Sequence, residues 1–158
     1  MDRSEQEVIG ILANEKITAI DDGTIPGAWG SVNIDDEPIG SPLVTAPDIL
    51  IAMNKPSLLK FEGKVVSGGT IVLDSSLIDV ETSRKDVNAC YIPATQMAND
   101  AGFPKLANVI VLGYLIKKTG LFDADYFMEC IKSSAPKAKP ELGEMNAKAL
   151  QMGYDYAE

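Results

Sequence analysis

The stretch DILIAMNKPSLLKFE, residues 48–62, decides the fold. Its first six residues, Asp48–Met53, form a short, nearly continuous apolar run, which is typical of a strand covered on both faces in a parallel sheet. Pro56 follows, and proline suits the first turn of a helix because the N–H that it lacks would have no partner there. We therefore predict a strand that passes directly into a helix over Pro56–Glu62, with Asn54 or Lys55 just before that helix.

The strand-to-helix pattern recurs further along the chain. Thr70–Leu73 predicts a second, β-branched strand, and Ala89–Ile92 predicts a third strand that ends at Pro93. A helix over Ala94–Asp100 then stops at Gly102. Because alternating strands and helices are typical of βαβ units, we expect an α/β fold with three layers, α/β/α, and a mostly parallel, Rossmann-like central sheet.

The C-terminal third of the chain is predicted to be mostly helical. Leu106–Lys118 is apolar on nearly every side, which favours a central helix that closes at Thr119-Gly120. Two further helices are predicted: one capped by Asp123 or Asp125 that runs to about Ser133, and, after a stiff hinge over Pro136–Pro140, a last one over Glu141–Asp155.

The N-terminal part is predicted to hold less regular structure. Ser4–Glu7 has the form of a capping box for a short helix that extends to about Asn14. Ser31–Ile34 alternates as a half-buried strand or an ordered loop would. Pro38–Pro47 contains three prolines and one glycine, so we expect a connector there.

Length and charge narrow the classes of protein and partner. With 158 residues the chain fits one domain with one core. A net charge of −9 disfavours nucleic acid and anionic membrane surfaces as partners. No apolar run approaches the roughly 20 residues of a membrane span, and the polar N-terminus does not resemble a signal peptide, so the cytoplasm is the expected location.

The residue types exclude several kinds of catalytic site. The chain has no histidine, which removes Ser-His-Asp and Cys-His nucleophile pairs and the usual ligands of catalytic metals. Cys90 and Cys130 are isolated in sequence and predict buried, reduced thiols rather than ligands of zinc or an iron-sulfur cluster. Neither a dinucleotide-binding G-x-G-x-x-G nor a P-loop is present. We therefore expect a subunit of a larger enzyme that binds no redox cofactor or metal by itself.

Small polar residues follow each predicted strand. The segments are Asn54–Ser57, Asp74–Leu77 and Pro93–Thr95. Because ligands of open α/β sheets gather beyond the carboxyl ends of the strands, these segments together predict one binding edge. The alternative for any one of these residues is that it only caps a helix.

Several stretches of the sequence are similar to a known family. Asp36–Val44, Pro47–Leu58 and Asp74–Ile78 resemble the γ subunit family of 2-oxoacid:acceptor oxidoreductases, which includes the pyruvate and 2-oxoglutarate ferredoxin oxidoreductases. Further similar stretches are Ile92–Thr95, Gly102–Lys105, Ala107-Asn108, Leu112-Gly113, Lys139–Leu142, Asn146 and Ala149-Leu150. No single motif is decisive, but the ordered series is specific, and it extends from about residue 30 to the end of the chain.

The resemblance implies a subunit, not active alone, of an enzyme that oxidatively decarboxylates a 2-oxoacid to an acyl-CoA and passes electrons to ferredoxin or a similar carrier. Thiamine diphosphate and iron-sulfur clusters are then expected on partner chains, the thiamine-binding and ferredoxin-like subunits, with CoA as co-substrate. The residues expected to line the approach of CoA or substrate are Asn54, Ser75, Ser76, Thr95 and Asn108, none of them a proton-transfer catalyst. For Asn108, the alternative is that its side chain forms hydrogen bonds with buried backbone groups. A homodimer is one expected state of the isolated chain.

The start of the chain departs from the family pattern. The family opens with a Gly-x-Gly-Gly-Gln-Gly turn and has an Arg-Gly-Gly segment before the stretch that corresponds to Asp36–Pro42, and neither is present here. We expect a single γ-type domain over residues 1–158, with 1–27 as an atypical N-terminal segment. Since a glycine-rich loop lets backbone approach a phosphate-bearing cofactor, its absence favours an alternative function, a non-catalytic interaction or regulatory module on the same scaffold. A free-standing small-molecule binding protein ranks last.

Overall fold

The structure, a computed structural model, describes residues 44–157. The helix predicted from Ser4 to Asn14 and the strand predicted over Ser31–Ile34 lie outside the described residues, as does the first part of the Pro38–Pro47 connector. Its last residues, 44–47, belong to neither helix nor strand.

The sheet of the described residues has three parallel strands. They are β1 (Ile49–Ala52), β2 (Thr70–Asp74) and β3 (Asn88–Ile92), in the order β1-β2-β3. In the register, Leu73 of β2 lies between Ala52 of β1 and Tyr91 of β3. The predicted strands are confirmed to within one residue at each end, and so is their parallel arrangement.

The described residues also form five α-helices. They are α1 (Lys55–Phe61), α2 (Ala94–Asp100), α3 (Ala107–Thr119), α4 (Ala124–Ser133) and α5 (Glu141–Asp155), with short 3-10 turns at Glu62–Lys64 and Pro104–Leu106. α2 and α5 have the predicted bounds. Of the two proposed caps of α4, Asp123 is the one observed: its Oδ1 accepts a hydrogen bond from the backbone N–H of Tyr126 at 2.8 Å.

Both faces of β2 are buried, which accounts for its continuous apolar run. Ile71 and Leu73 point to one face and pack in one cluster with Leu58 of α1. Val72 and its register partner Cys90 are buried on the other face, and α3 contacts both β2 and β3. The predicted α/β/α layering is confirmed on this basis. Cys90 is buried as expected, whereas Cys130 on α4 is only partly buried, so that part of the prediction was wrong.

Helix α3 is central, as predicted, and packs closely against α5. A methyl group added at Gly113 of α3 would overlap the carbonyl oxygen of Leu150, and one added at Gly153 of α5 would overlap that of Ile110. Both glycines therefore permit a close approach of the two helix backbones. Gly120, at φ 63°, ends α3 in the left-handed conformation.

Candidate binding site at the strand ends

The three predicted polar segments lie at the same edge of the sheet. Because the strands are parallel and in register, their carboxyl ends are side by side, and the segments follow directly after Ala52, Leu73 and Ile92. We call the segments Asn54–Ser57, Asp74–Leu77 and Pro93–Thr95 together the strand-end rim. The rim brings Ser76 and Thr95 into one hydrogen-bonded group, and Asn54 and Ser75 lie at the ends of the two neighbouring strands.

Asp74 lies at the centre of this hydrogen-bonded group. Its side chain is fully buried at 0% exposure. Oδ2 accepts hydrogen bonds from the Thr95 hydroxyl at 2.5 Å and from the Thr95 backbone N–H at 3.1 Å, and Oδ1 accepts one from the backbone N–H of Ser76 at 3.0 Å. One carboxyl group therefore joins the loop after β2 to the start of α2. The sequence placed Asp74 in the rim but not among the candidate site residues.

The loop after β2 also supplies the caps of α2. Pro93 is the N-cap of that helix and offers no side-chain hydrogen bond. Its role is taken by Asp74, which accepts from the Thr95 N–H, and by Ser76, whose Oγ accepts from the backbone N–H of Gln96 at 3.0 Å. These bonds satisfy two of the N–H groups that the first turn of a helix leaves without an intrahelical partner.

Asn54 bonds to the rest of the fold through its side chain, whereas Ser75 does so through its backbone. Asn54 is the N-cap of α1, and its Oδ1 accepts from the backbone N–H of Ser57 at 2.9 Å. The backbone N–H of Ser75 donates to the carbonyl of Ile92 at 3.0 Å, while the Ser75 side chain is exposed. Asn54 is therefore a helix cap, whether or not it also contacts a ligand, and Ser75 presents its side chain to solvent.

The observed bonds determine what the rim can still offer a ligand. The Ser76 oxygen accepts from Gln96, so its hydroxyl hydrogen can be donated to another group. The Thr95 hydroxyl donates to Asp74, so its oxygen can still accept. The Asn54 amide nitrogen can donate. The rim can therefore bind a neutral or anionic polar group through hydrogen bonds.

Lys55, in the first segment of the rim, is positively charged and is paired with Asp79. Its Nζ lies 2.9 Å from Oδ1 of Asp79, and this hydrogen bond holds the pKa of the Asp79 carboxyl below its usual value. Both side chains are exposed, so the pair contributes little to stability. It places opposite charges together beside the neutral hydroxyl and amide groups of the rim.

Asn108 does not share the environment of the other candidates. It lies in the first turn of α3 with an exposed side chain, and no hydrogen bond joins it to the rim within residues 44–157. An exposed side chain also does not fit the alternative of satisfying buried backbone groups.

A separate cavity of about 250 Å³ lies between α3, α4 and α5. Its lining includes Gly113, Asp123, Met128, Leu150 and Tyr154, and it shares no residue with the rim. Its lining residues belong to these three helices and to Asp123, the N-cap of α4, so the cavity lies apart from the sheet edge at which α/β folds bind ligands, and we retain the rim as the candidate site.

Two features are absent from the part of the chain that the structure describes. Within residues 44–157, no three or more His, Cys, Asp or Glu side chains are grouped so that they could hold a metal ion. None of the described helices is long and apolar enough to cross a membrane.

Comparison with known proteins gives a consistent set of similarities. Residues 28–156 match the model of the family described as Pyruvate ferredoxin/flavodoxin oxidoreductase. The chain is 34% identical over 128 residues to the ketoisovalerate oxidoreductase subunit VorA of Methanothermobacter marburgensis, covering 80% of this chain and 26% of that protein. It is 31% identical over 129 residues to the 2-oxoglutarate synthase subunit KorC of Methanocaldococcus jannaschii, covering 80% of this chain and 67% of that protein.

A solved structure is similar in fold as well. The gamma subunit of keto/oxoacid ferredoxin oxidoreductase from Geobacter sulfurreducens superposes with a TM-score of 0.60 and 27% identity, over 68% of this chain and 62% of that one. The chain thus spans about a quarter of the VorA subunit and about two thirds of the KorC subunit.

Proposed function

Because the chain belongs to the pyruvate ferredoxin/flavodoxin oxidoreductase family, we propose that it is the γ-type subunit of a 2-oxoacid oxidoreductase. The complex would oxidatively decarboxylate a 2-oxoacid to an acyl-CoA and pass the electrons to ferredoxin or a similar acceptor. The observation that carries this proposal is the family match over residues 28–156, supported by relatives that are themselves named as subunits of such enzymes.

We infer that other chains of the complex determine which 2-oxoacid is oxidised. Similar proteins at nearly equal identity are named for different substrates: ketoisovalerate for VorA at 34% and 2-oxoglutarate for KorC at 31%. A chain that resembles both about equally is a poor candidate for the residue set that separates the two acids. We propose that the thiamine-bearing subunit makes this selection.

The proposed partners carry the redox chemistry. We propose that thiamine diphosphate and the iron-sulfur clusters are bound by thiamine-binding and ferredoxin-like subunits, in a cytoplasmic complex. For this chain the support is the scarcity of suitable ligands: the sequence has no histidine, and its two cysteines stand 40 positions apart, at 90 and 130. Its own contribution would be assembly and part of the path by which CoA reaches the reacting centre.

The strand-end rim is the proposed point of contact with CoA. CoA presents phosphate and carbonyl oxygens and amide N–H groups, which need donors and acceptors respectively. The rim offers donors at Ser75, Ser76 and the Asn54 amide, and an acceptor at Thr95. These groups sit beyond the carboxyl ends of parallel strands, where α/β folds bind ligands.

Purification of the native complex tests the subunit assignment. We expect the tagged chain to co-purify with a thiamine-binding and a ferredoxin-like polypeptide, and 2-oxoacid oxidation to be lost when the chain is deleted and restored when it is supplied again. If the chain elutes alone and oxidation survives its deletion, the proposal is wrong.

A second candidate function is a non-catalytic interaction or regulatory module. One observation favours it: Asn54, Ser76 and Thr95 all spend part of their hydrogen-bonding capacity on holding the fold together. Calorimetric titration of the assembled complex with CoA separates the two functions. The subunit proposal expects Ser75→Ala to weaken CoA binding about fivefold, the value of roughly one hydrogen bond.

The matched control for that titration is Ser133→Ala. Ser133 is an exposed serine at the end of α4, and its hydroxyl donates to the carbonyl of Cys130 rather than to any rim residue. Unchanged CoA affinity in both variants would support the module; weaker binding in Ser75→Ala alone would support the CoA contact.

A further inference from the structure

One buried carboxyl group controls the direction of the hydrogen bonds in the strand-end rim. Because the Thr95 hydroxyl donates its one hydrogen to Oδ2 of Asp74, the Thr95 oxygen can act toward any further partner only as an acceptor. Oδ1 of Asp74 accepts a hydrogen bond from the backbone N–H of Ser76. The Oγ of Ser76 in turn accepts one from the backbone N–H of Gln96. The Ser76 hydroxyl hydrogen is then directed to a partner outside this group.

We propose that Asp74 is a positioning residue that sets the polarity of the rim, with Ser76 as a hydrogen-bond donor and Thr95 as an acceptor toward the ligand. A ligand that fits this polarity places a phosphate or carbonyl oxygen at Ser76 and an N–H group at Thr95. The inference rests on the proposed function, in which that ligand is CoA. Asp74 itself is fully buried and acts through the two residues that it holds.

Asp74→Asn is the informative substitution because it keeps the size of the side chain and removes one acceptor. If the amide nitrogen takes the place of Oδ2, it faces two donors, the N–H and the hydroxyl of Thr95. If the amide is turned over, the nitrogen faces the N–H of Ser76 instead. Either orientation leaves at least one backbone N–H without its acceptor, and the first also makes the Thr95 hydroxyl reverse its direction.

The test measures steady-state kinetics of the purified complex with CoA as the varied substrate. We expect Asp74→Asn to raise the KM for CoA about fivefold to tenfold, corresponding to roughly one lost hydrogen bond, with kcat changed less than about twofold. Thr95→Ser keeps the hydroxyl and should raise the KM clearly less than Thr95→Val does. In the double variant Asp74→Asn with Thr95→Val, the increase in KM should not exceed that of the larger single variant, because both changes remove the same interaction.

A control separates positioning from general loss of stability. Ile131→Val removes one methyl group from a buried residue of α4 that has no hydrogen bond to the rim, and it lowers Tm without touching Asp74, Ser76 or Thr95. We expect its KM for CoA to be that of the wild type. Hydrogen exchange on the full chain adds a readout that needs no CoA: the backbone amides of Ser76 and Thr95 should exchange faster in Asp74→Asn than in Ile131→Val.

The outcomes distinguish the two proposals. If Ser75→Ala raises the KM for CoA while Asp74→Asn does not, or if Ile131→Val raises it equally, the positioning role is overturned and the CoA contact of the rim stands. If neither Ser75→Ala nor Asp74→Asn changes the KM, the rim does not bind CoA, and the positioning role fails with it.

Discussion

The two edges of the parallel sheet use their polar residues differently. At the edge where the strands begin, the guanidinium of Arg84 donates from Nη1 to the carbonyls of Glu62 and Val65, both at 2.9 Å, and from Nε and Nη2 to the two oxygens of Asp86 at 2.6 and 2.7 Å. At the edge where the strands end, the rim contains mostly neutral hydroxyl and amide groups around one buried carboxyl, Asp74.

The Glu62 side chain completes the arrangement at the first edge. Its two oxygens accept from the Thr82 hydroxyl at 2.7 Å and from the backbone N–H and hydroxyl of Ser83 at 3.0 and 3.1 Å. We call Glu62, Thr82, Ser83, Arg84 and Asp86 the Arg84 cluster. Each of its charged groups is bonded to another member of the cluster or to backbone, so the cluster joins chain segments and offers little to a ligand.

The comparison indicates a division of work between the two edges. Charge-assisted hydrogen bonds are among the strongest in proteins, and the Arg84 cluster uses them to fix the connections that lead into β2 and β3. In the rim, the hydroxyl groups of Ser76 and Thr95 each form one hydrogen bond within the fold. Ser76 can still donate to a ligand, and Thr95 can still accept from one. We therefore expect substitutions in the Arg84 cluster to change stability alone, and substitutions in the rim to change both stability and ligand affinity.

The largest effect on stability is expected from Arg84→Ala. The variant loses the pairing with Asp86 and leaves the carbonyls of Glu62 and Val65 without this donor, so the free energy of unfolding should fall further than in Thr95→Val. Urea unfolding measures this change. The neighbouring exposed Lys85→Ala should stay within about 0.5 kcal/mol of the wild type. A loss in Arg84→Ala no greater than in Lys85→Ala would remove the stabilising role of the cluster.

A smaller loss is expected from Thr95→Val in the rim. Valine has nearly the shape of threonine, so the variant removes the hydroxyl donor to Asp74 and keeps the packing, which should cost about 1.5 kcal/mol because the carboxyl is buried. Thr95→Ser retains the donor and should lose clearly less. Equal losses in both variants would show that the methyl group, rather than the hydrogen bond, supports this edge.

Asn54 allows the structural and the ligand-binding roles of one residue to be separated. Asn54→Ala removes the cap of α1 and should cost about 1 kcal/mol. Asn54→Asp keeps an oxygen for the Ser57 N–H and should be close to the wild type in Tm, but it loses the amide donor and should weaken CoA binding. If Asn54→Asp binds CoA as the wild type does, Asn54 is only a helix cap and does not belong to the residues of the rim that contact CoA.

The sequence was sufficient to predict the elements and the edge at which the polar segments meet. The β-branched run over Thr70–Leu73 requires burial on both faces, and Pro56 suits a helix start, so strand, helix and their order follow from local chemistry. Parallel strands then put Asn54, Ser75 and Thr95 at one edge without further information. These are consequences of short-range pattern, and the structure agrees with them.

The contacts that give this edge its chemistry could not be predicted in the same way. Asp74 and Thr95 are 21 positions apart, and Arg84 and Glu62 are 22 apart, so each bond depends on strand register and loop path. An aspartate at the end of an otherwise apolar strand, followed by two serines, was the available signal for Asp74. Asn108 was included from the resemblance, and local pattern could not show that its helix turns it outward to solvent.

The smallest effect concerns pH and belongs to the Arg84 cluster. The hydrogen bonds from Arg84 lower the pKa of Asp86 to about 2, from an ordinary value of 3.8. For Glu62, burial raises the pKa, but the bonds from Thr82 and Ser83 and the charge of Arg84 together bring it below the ordinary value of 4.5. Both carboxyls have a lower pKa in the folded chain, so each stabilises the fold fully above its unfolded pKa and loses that contribution as the pH falls through the folded value.

We therefore expect Tm to fall between about pH 4.5 and pH 2, and the part due to Asp86 to be absent in Asp86→Asn. The effect is small because Asp86 is solvent-exposed and salt screens the pair. Thermal unfolding of the wild type and of Asp86→Asn across this pH range, in low and high salt, measures it. Asp79→Asn provides the matched comparison, since Asp79 is also paired with a cation, Lys55, but at the other edge of the sheet. A decline that is equally steep in wild type and Asp86→Asn would show that the Asp86 carboxylate contributes nothing to this pH dependence.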